Sequence, residues 1–285
     1  MVLFFASATQ HPYHHPCGNL DTPDFLAMVQ SKYDQLEGAI PSWHYLVSLG
    51  EWKPGMTLTK IELSQTGAYA GSLNQARPDN PCALVFSACQ GCYVIGYSGP
   101  STWTMSGPIP WMNLDPLIAY IHSLHLPHVN IKDSTITLVD QGISKSPYWN
   151  IRDAAFDIDH DFKIIHVGRA HSRMTTVFQC IQTQDPLLVK DAWIKSYRDP
   201  EITLFESLTE DGPPPGWVNI KPPTEDRIHL HTPQLIGITQ RRKDRTVMEN
   251  TGLPFDKCRK LSDAIAATYD ILEGKGQQYL SDKRF

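Results

Sequence analysis

The sequence predicts an α+β protein of two packed units. Two observations carry that expectation. Through about residue 150, segments with helical spacing of apolar residues alternate with short β-rich runs. From about residue 155, strand-like runs dominate and lead to a long helical pattern, Leu261–Leu280. A chain of 285 residues can give each unit its own core. The expected organisation is an N-terminal extension over 1–42, a mixed α/β domain over 43–150 and a second unit over 155–285.

Val2–Ala8 is a short apolar stretch, read as a strand or a fraying terminus, with no basic residue before it, which is not the pattern of a secretory leader. Asp21–Glu37 reads as an amphipathic helix, capped by Asp21 or Thr22 ahead of Pro23, with Phe25, Leu26, Met28, Val29, Tyr33 and Leu36 apolar. Trp43–Leu49 is β-rich and ends at Gly50-Glu51-Trp52-Lys53. Leu58–Gln75 is a second helix, and Arg77-Pro78-Asp79-Asn80-Pro81 breaks it. Ala83–Ala88 and Tyr93–Tyr97 form a hairpin around Gln90-Gly91, followed by a Gly/Pro/Ser-rich connection through Pro110. Leu114–His125 is a further helix and Ser134–Val139 alternates as a strand.

In the second unit, Phe162–Val167, Val177–Ile181 and Leu187–Trp193 read as three strands, with Gly168 in the first connection. Glu201 opens a helical segment with Leu204 and Phe205 on its core face. Pro213-Pro214-Pro215-Gly216 and Pro222-Pro223 bracket Trp217–Ile220 as a rigid, non-helical connection. Arg245–Pro254 supplies a last strand and an extended exit.

A net charge of −5 argues against generic polyanion binding, so a nucleic-acid partner is not expected. No run of about 18 apolar residues offers a membrane span, and the expected location is intracellular, cytoplasmic or nuclear. The six scattered cysteines are not a disulfide scaffold. Cys89-Gln-Gly-Cys92 could hold a metal with Cys82 and a histidine such as His11, His14 or His15. The hairpin reading, with cysteines as small flanking residues, is preferred, and no metal ligands are assigned.

Lys190 lies in a hydrophobic strand among Leu188, Val189 and Trp193. Together with Glu201 and the Val247-Met248-Glu249-Asn250 run, this order resembles a protein-kinase small lobe. There a strand lysine pairs with nucleotide phosphates and a helix glutamate orients it. In wording the chain resembles the fungal-type protein kinase domain, a divergent group of eukaryotic kinases. The likeness rests on Val189-Lys190-Asp191-Ala192-Trp193, Glu201-Ile202-Thr203-Leu204-Phe205, Arg245 through Pro254 and the Ser262–Tyr279 helix. Gln65 to Tyr69, Arg77-Pro78-Asp79, Ser87-Ala88-Cys89 and Met112 to Pro116 resemble the region that precedes the lobe, so the likeness spans about 43–283.

The resemblance implies a small lobe followed by the first helix of a large lobe, and a family activity of ATP-dependent phosphorylation of protein Ser/Thr. It implies weak ATP contact through Gly168, Lys190, Glu201, Met248, Glu249 and Thr251, with Glu206 as a second partner for Lys190. Of the phosphate-loop glycines only Gly168 stands in place, and Ala170, His171 and Arg173 follow it. The family's catalytic loop and its magnesium ligands fall beyond Phe285, so no catalytic residue is assigned and magnesium binding is not expected. The chain is therefore expected to be a catalytically incomplete kinase-like protein, with a non-catalytic interaction module that binds a protein partner and no nucleotide as the alternative.

A third chemistry is legible upstream. Glu51-Trp52-Lys53 at a strand end, then Gln65-x-x-x-Tyr69 on the next helix, is similar to the core of PD-(D/E)xK nucleases. Those sites also need an aspartate on the preceding strand. The run Trp43–Leu49, taken as that strand, has none, and Tyr45 stands in its place. The expectation is a nuclease-like fold that does not cleave.

Overall fold

The computed structural model describes residues 1–6, 12, 14–18, 21–36, 41–80, 82–100, 102–125, 132–141, 146–169, 173–182, 187–200, 202–203, 219–224, 230–232 and 240–249. These residues form two sheets with a few helices, an α+β arrangement.

The first sheet holds β1 (Val2–Ala6), β2 (Phe25–Val29), β3 (Leu46–Lys53), β4 (Ala83–Cys89), β5 (Cys92–Gly99) and β6 (Thr102–Met105) in sequence order. A seventh strand, β7 (Ile109–Pro110), also pairs with β5. All its ladders are antiparallel except β3 with β4. That parallel pair needs a crossover, supplied by the helix α2 (Lys60–Ala76). Thr59 and Glu62 close a capping box at its start: the Glu62 N–H donates to Thr59 Oγ1 at 3.3 Å and the Thr59 N–H to Glu62 Oε2 at 2.7 Å. Tyr69, Ala70, Leu73 and Ala76 of α2 pack with Leu49, Val85, Leu26 and Trp43. Across the sheet, Tyr120 of α3 (Asp115–His125) stacks on Phe86 and shares a 2.6 Å hydrogen bond with Ser48.

The helix expected over Asp21–Glu37 is instead β2 followed by a short helix α1 (Gln30–Gln35). Phe25–Val29 is five consecutive apolar residues, and β2 lies between β1 and β3 with its middle three residues buried. Such a run satisfies a helical and a doubly buried strand pattern equally well. Trp43–Tyr45 is a turn of 3-10 helix, and the β-rich run continues through Lys53. The connection after the hairpin contains β6 and β7.

The second sheet adds β8 (Ile136–Val139), β9 (Tyr148–Asp153), β10 (Ile158–Val167), β11 (Thr176–Cys180), β12 (Leu188–Lys195), β13 (Asn219–Lys221) and β14 (Arg241–Glu249). It is antiparallel throughout, in the order β13-β14-β12-β11-β10-β9-β8. By sheet membership the first unit runs through Pro110, and α3, whose Tyr120 packs on that sheet, extends it through His125. Ile136–Val139 and Tyr148–Asp153, grouped from sequence with the N-terminal domain, pair into the second sheet, while 1–42 contributes strands to the first. Trp149, Ile151, Phe162, Phe178, Val189 and Val247 make the second core.

Five buried charges sit where the units meet. Arg245 bonds Asp191 through Nε and Nη2 at 2.7 and 2.8 Å, and reaches Asp153 at 2.8 Å and Asp133 at 3.2 Å. Lys243 bonds Asp133 at 2.6 Å and Asp191 at 2.8 Å, and donates to the Pro78 carbonyl beyond α2 at 3.3 Å. The Asp133 N–H donates to the Asp79 carbonyl at 2.7 Å. Both cations are thus fully engaged, the condition under which buried charge is tolerated.

Candidate functional site

The strand β3 runs past the end of β2, and that overhang builds a polar site. Phe25 pairs with Gly50, so Asp24, immediately before β2, stands opposite Glu51. The Asp24 N–H donates to Glu51 Oε2 at 3.3 Å, and the Trp52 N–H donates to Asp24 Oδ2 at 2.9 Å. Leu49, Glu51 and Lys53 alternate with Trp52, so the first three share the face covered by α2. Lys53 Nζ lies 2.6 Å from Glu51 Oε1.

The neighbouring helix supplies the remaining groups. Gln65 and Tyr69 are four apart on α2, and Gln65 Nε2 donates to the Tyr69 hydroxyl at 2.6 Å. One residue on from Gln65, Thr66 shares a 2.6 Å hydrogen bond with Ser87, whose β4 position faces Glu51 in the parallel ladder. The site thus sits at the carboxyl end of the parallel pair, where a crossover helix begins. In open α/β sheets this is the edge at which ligands bind.

Glu51 is only 4% exposed. Burial, aided by the Asp24 charge, pushes its pKa up against the opposing hydrogen bond and charge of Lys53. Burial works against the Lys53 ammonium, but the Glu51 hydrogen bond and the Glu51 and Asp24 charges outweigh it and raise its pKa. Tyr69 is raised by burial and by the Glu51 and Asp21 charges, against the Gln65 hydrogen bond and the Lys53 charge. Two carboxylates in one site with a single lysine leave Glu51 under-compensated, an electrostatic deficit that a bound cation would relieve.

Sequence reasoning placed no carboxylate opposite Glu51 because it took Trp43–Leu49 as the facing strand. Those residues lead into β3 itself; the facing strand is β2, and Asp24 precedes it. The readable signal was Pro23-Asp24 directly before an unbroken apolar run of strand length.

Of the residues proposed for nucleotide contact, Lys190, Met248 and Glu249 lie on the second sheet and Gly168 directly follows β10. Lys190 is half-buried on β12, between Val177 and Thr246, with Val189 and Asp191 turned to the buried side. The Gly168 N–H donates to the Thr175 carbonyl at 2.6 Å, and its carbonyl accepts from Gln75 Nε2 at 2.8 Å. Met248 and Glu249 end β14, where Asn219 Nδ2 donates to Glu249 Oε2 at 3.1 Å. Glu201, Glu206, Thr251 and the Leu261–Leu280 helix lie outside the described residues. The structure therefore brings Lys190 onto one sheet with Met248 and Glu249, and leaves its pairing with Glu201 undescribed.

Among the described residues no group of three His, Cys, Asp or Glu side chains is arranged to hold a metal, and no helix is long and apolar enough to cross a membrane. No protein-family model, curated protein or solved structure matches the chain.

Proposed function

We propose that the N-terminal unit is a metal-dependent phosphodiester hydrolase acting on nucleic acid, with Asp24, Glu51 and Lys53 as its reacting constellation. One observation carries the reading: Asp24 stands across from Glu51 with Lys53 at 2.6 Å. Pro23-Asp24 with Glu51-Trp52-Lys53 supplies every element of a PD-(D/E)xK pattern, and Gln65 and Tyr69 flank it.

The donor set fits magnesium or manganese. Such ions are held by one or two carboxylates, with water and substrate phosphate completing the shell, so a third protein carboxylate is not required. Asp24 and Glu51 would hold the ion, which supplies charge neutralisation and an acidified water. Lys53 places a cation beside Glu51 for a phosphate oxygen. The Tyr69 hydroxyl accepts from Gln65 Nε2 and so keeps its own proton as a donor for the substrate backbone. The test is cleavage of single-stranded and plasmid DNA and of RNA by the full chain, with magnesium or manganese and with chelator. Cleavage present only with metal, and lost in Lys53→Ala, supports the reading; none with any substrate contradicts it.

A second reading concerns the C-terminal unit, a kinase-like small lobe with weak ATP contact. Its support is the strand order. The meander β10-β11-β12 is followed by β14 alongside β12, with the earlier strand β13 outside it. Lys190 then lies on the third strand and Met248–Glu249 at the exit of the fifth. On this reading the lobe contacts nucleotide weakly through Lys190 and the Met248–Glu249 strand end.

A further inference from the structure

Neither reading uses Cys89-Gln90-Gly91-Cys92. The β4–β5 ladder ends at Ala88 opposite Tyr93, so Cys89 and Cys92 are the next facing pair around a two-residue turn. Facing residues of an antiparallel ladder have Cα atoms roughly 4.5–5.5 Å apart, inside the roughly 4.4–6.8 Å a disulfide requires. The two sulfurs are 3.5 Å apart and both cysteines are free. Cys89 is fully buried, whereas Cys92 is 8% exposed at the hairpin tip.

Position gives the pair its interest. In the parallel ladder Cys89 pairs with Lys53, and it shares the α2 face with Ser87. The turn is fastened to the loop that follows Lys53. The Gln90 N–H donates to the Gly55 carbonyl at 2.8 Å, and any side chain at Gly91 would strike the Met56 carbonyl. The Trp111 indole N–H donates to the Cys89 carbonyl at 2.8 Å. The turn is thus bonded and packed against residues 54–59, which join Lys53 to the start of α2.

We propose that Cys89 and Cys92 form a dithiol–disulfide couple whose oxidation rearranges the loop between Lys53 and α2. The oxidant is a disulfide of the glutathione class. The Cys92 thiolate attacks one of its sulfurs and expels a first thiolate, leaving a mixed disulfide. The Cys89 thiolate then attacks the Cys92 sulfur, forms the Cys89–Cys92 bond and expels the second. Two electrons pass to the oxidant, which leaves as two thiols carrying the two protons. Burial raises the Cys92 thiol, so exchange is slow near neutrality and speeds up with pH. Any consequence for hydrolysis rests on the reading of Asp24, Glu51 and Lys53 given above; the couple itself does not.

The experiment equilibrates the full chain in glutathione buffers of graded ratio at pH 8, traps thiols by alkylation and maps peptides by mass. The same samples are followed by amide exchange over 54–59 and by DNA cleavage. The expected result is joint loss of two alkylatable thiols at Cys89 and Cys92, reversed by dithiothreitol and abolished in Cys92→Ser, with at least a several-fold change in exchange over 54–59. Both cysteines alkylating at every ratio, glutathione remaining singly attached to Cys92, unchanged exchange in the oxidised form, or stoichiometric zinc on the pair would each overturn the inference. Disulfide formation with altered exchange but no cleavage in either form leaves the couple standing and removes the hydrolytic reading.

Discussion

Asp24 and Glu51 are bound to one another's strand through crossed hydrogen bonds: the Asp24 N–H donates to Glu51 Oε2, and the Trp52 N–H to Asp24 Oδ2. Each carboxylate spends one oxygen on holding the partner strand's end. The pair is fixed in place by backbone, and it remains short of positive charge.

That deficit has a sign in stability. A carboxyl whose pKa is raised on folding loses stability as pH rises through its unfolded and then its folded value. Glu51→Gln should therefore raise Tm at pH 7 in metal-free buffer while abolishing metal-dependent cleavage. A lower Tm would show that Glu51 is structural, held by Lys53 for packing.

The buried cluster behaves oppositely. Arg245→Met removes the guanidinium that Asp133, Asp153 and Asp191 share, which should cost about 3–5 kcal/mol, or on the order of 10 °C in Tm. Thermal unfolding of the variant checks this, and a shift below about 2 °C would mean that the cluster contributes little.

Acid should unfold the protein through the same residues. Burial alone would raise Asp191, but Arg245 and Lys243 outweigh it and hold its carboxyl at about 2. Its contribution is complete above the unfolded value of about 4 and is lost as pH falls from about 4 towards 2. Tm measured from pH 7 down to 2.5 should first change gradually, as His44, whose pKa burial lowers to about 4, takes up a proton on unfolding, and then drop steeply below about pH 4. Added salt should leave the drop in place, because buried pairs are poorly screened.

Millimolar ATP should raise Tm by less than about 2 °C, far below the shift expected of a ligand at a hundred times its dissociation constant. A large shift that Lys190→Met removes would show that the second sheet carries a strong nucleotide site.

How much of this was legible depended on which residues spoke locally. The α2 helix and the β4–β5 hairpin were readable because the Arg77–Pro81 break and Gln90-Gly91 are local signals. The α+β class and the strands around Lys190 followed from alternation. Phe25–Val29 was misread because a doubly buried strand has no period of its own, and Asp24 was lost with it. The Asp191–Arg245 pair, 54 residues apart in the sequence, is set by sheet register, which no local pattern reports.

The central claim is that Asp24 and Glu51 together hold one divalent ion. Counting bound Mn²⁺ by electron paramagnetic resonance, on the full chain and on Asp24→Asn and Glu51→Gln, tests it most directly. The account predicts one ion per wild-type chain and a loss of at least about tenfold in affinity in each variant, the scale of a lost metal-site interaction. Equal binding by wild type and Asp24→Asn, or no saturable binding at all, would contradict it.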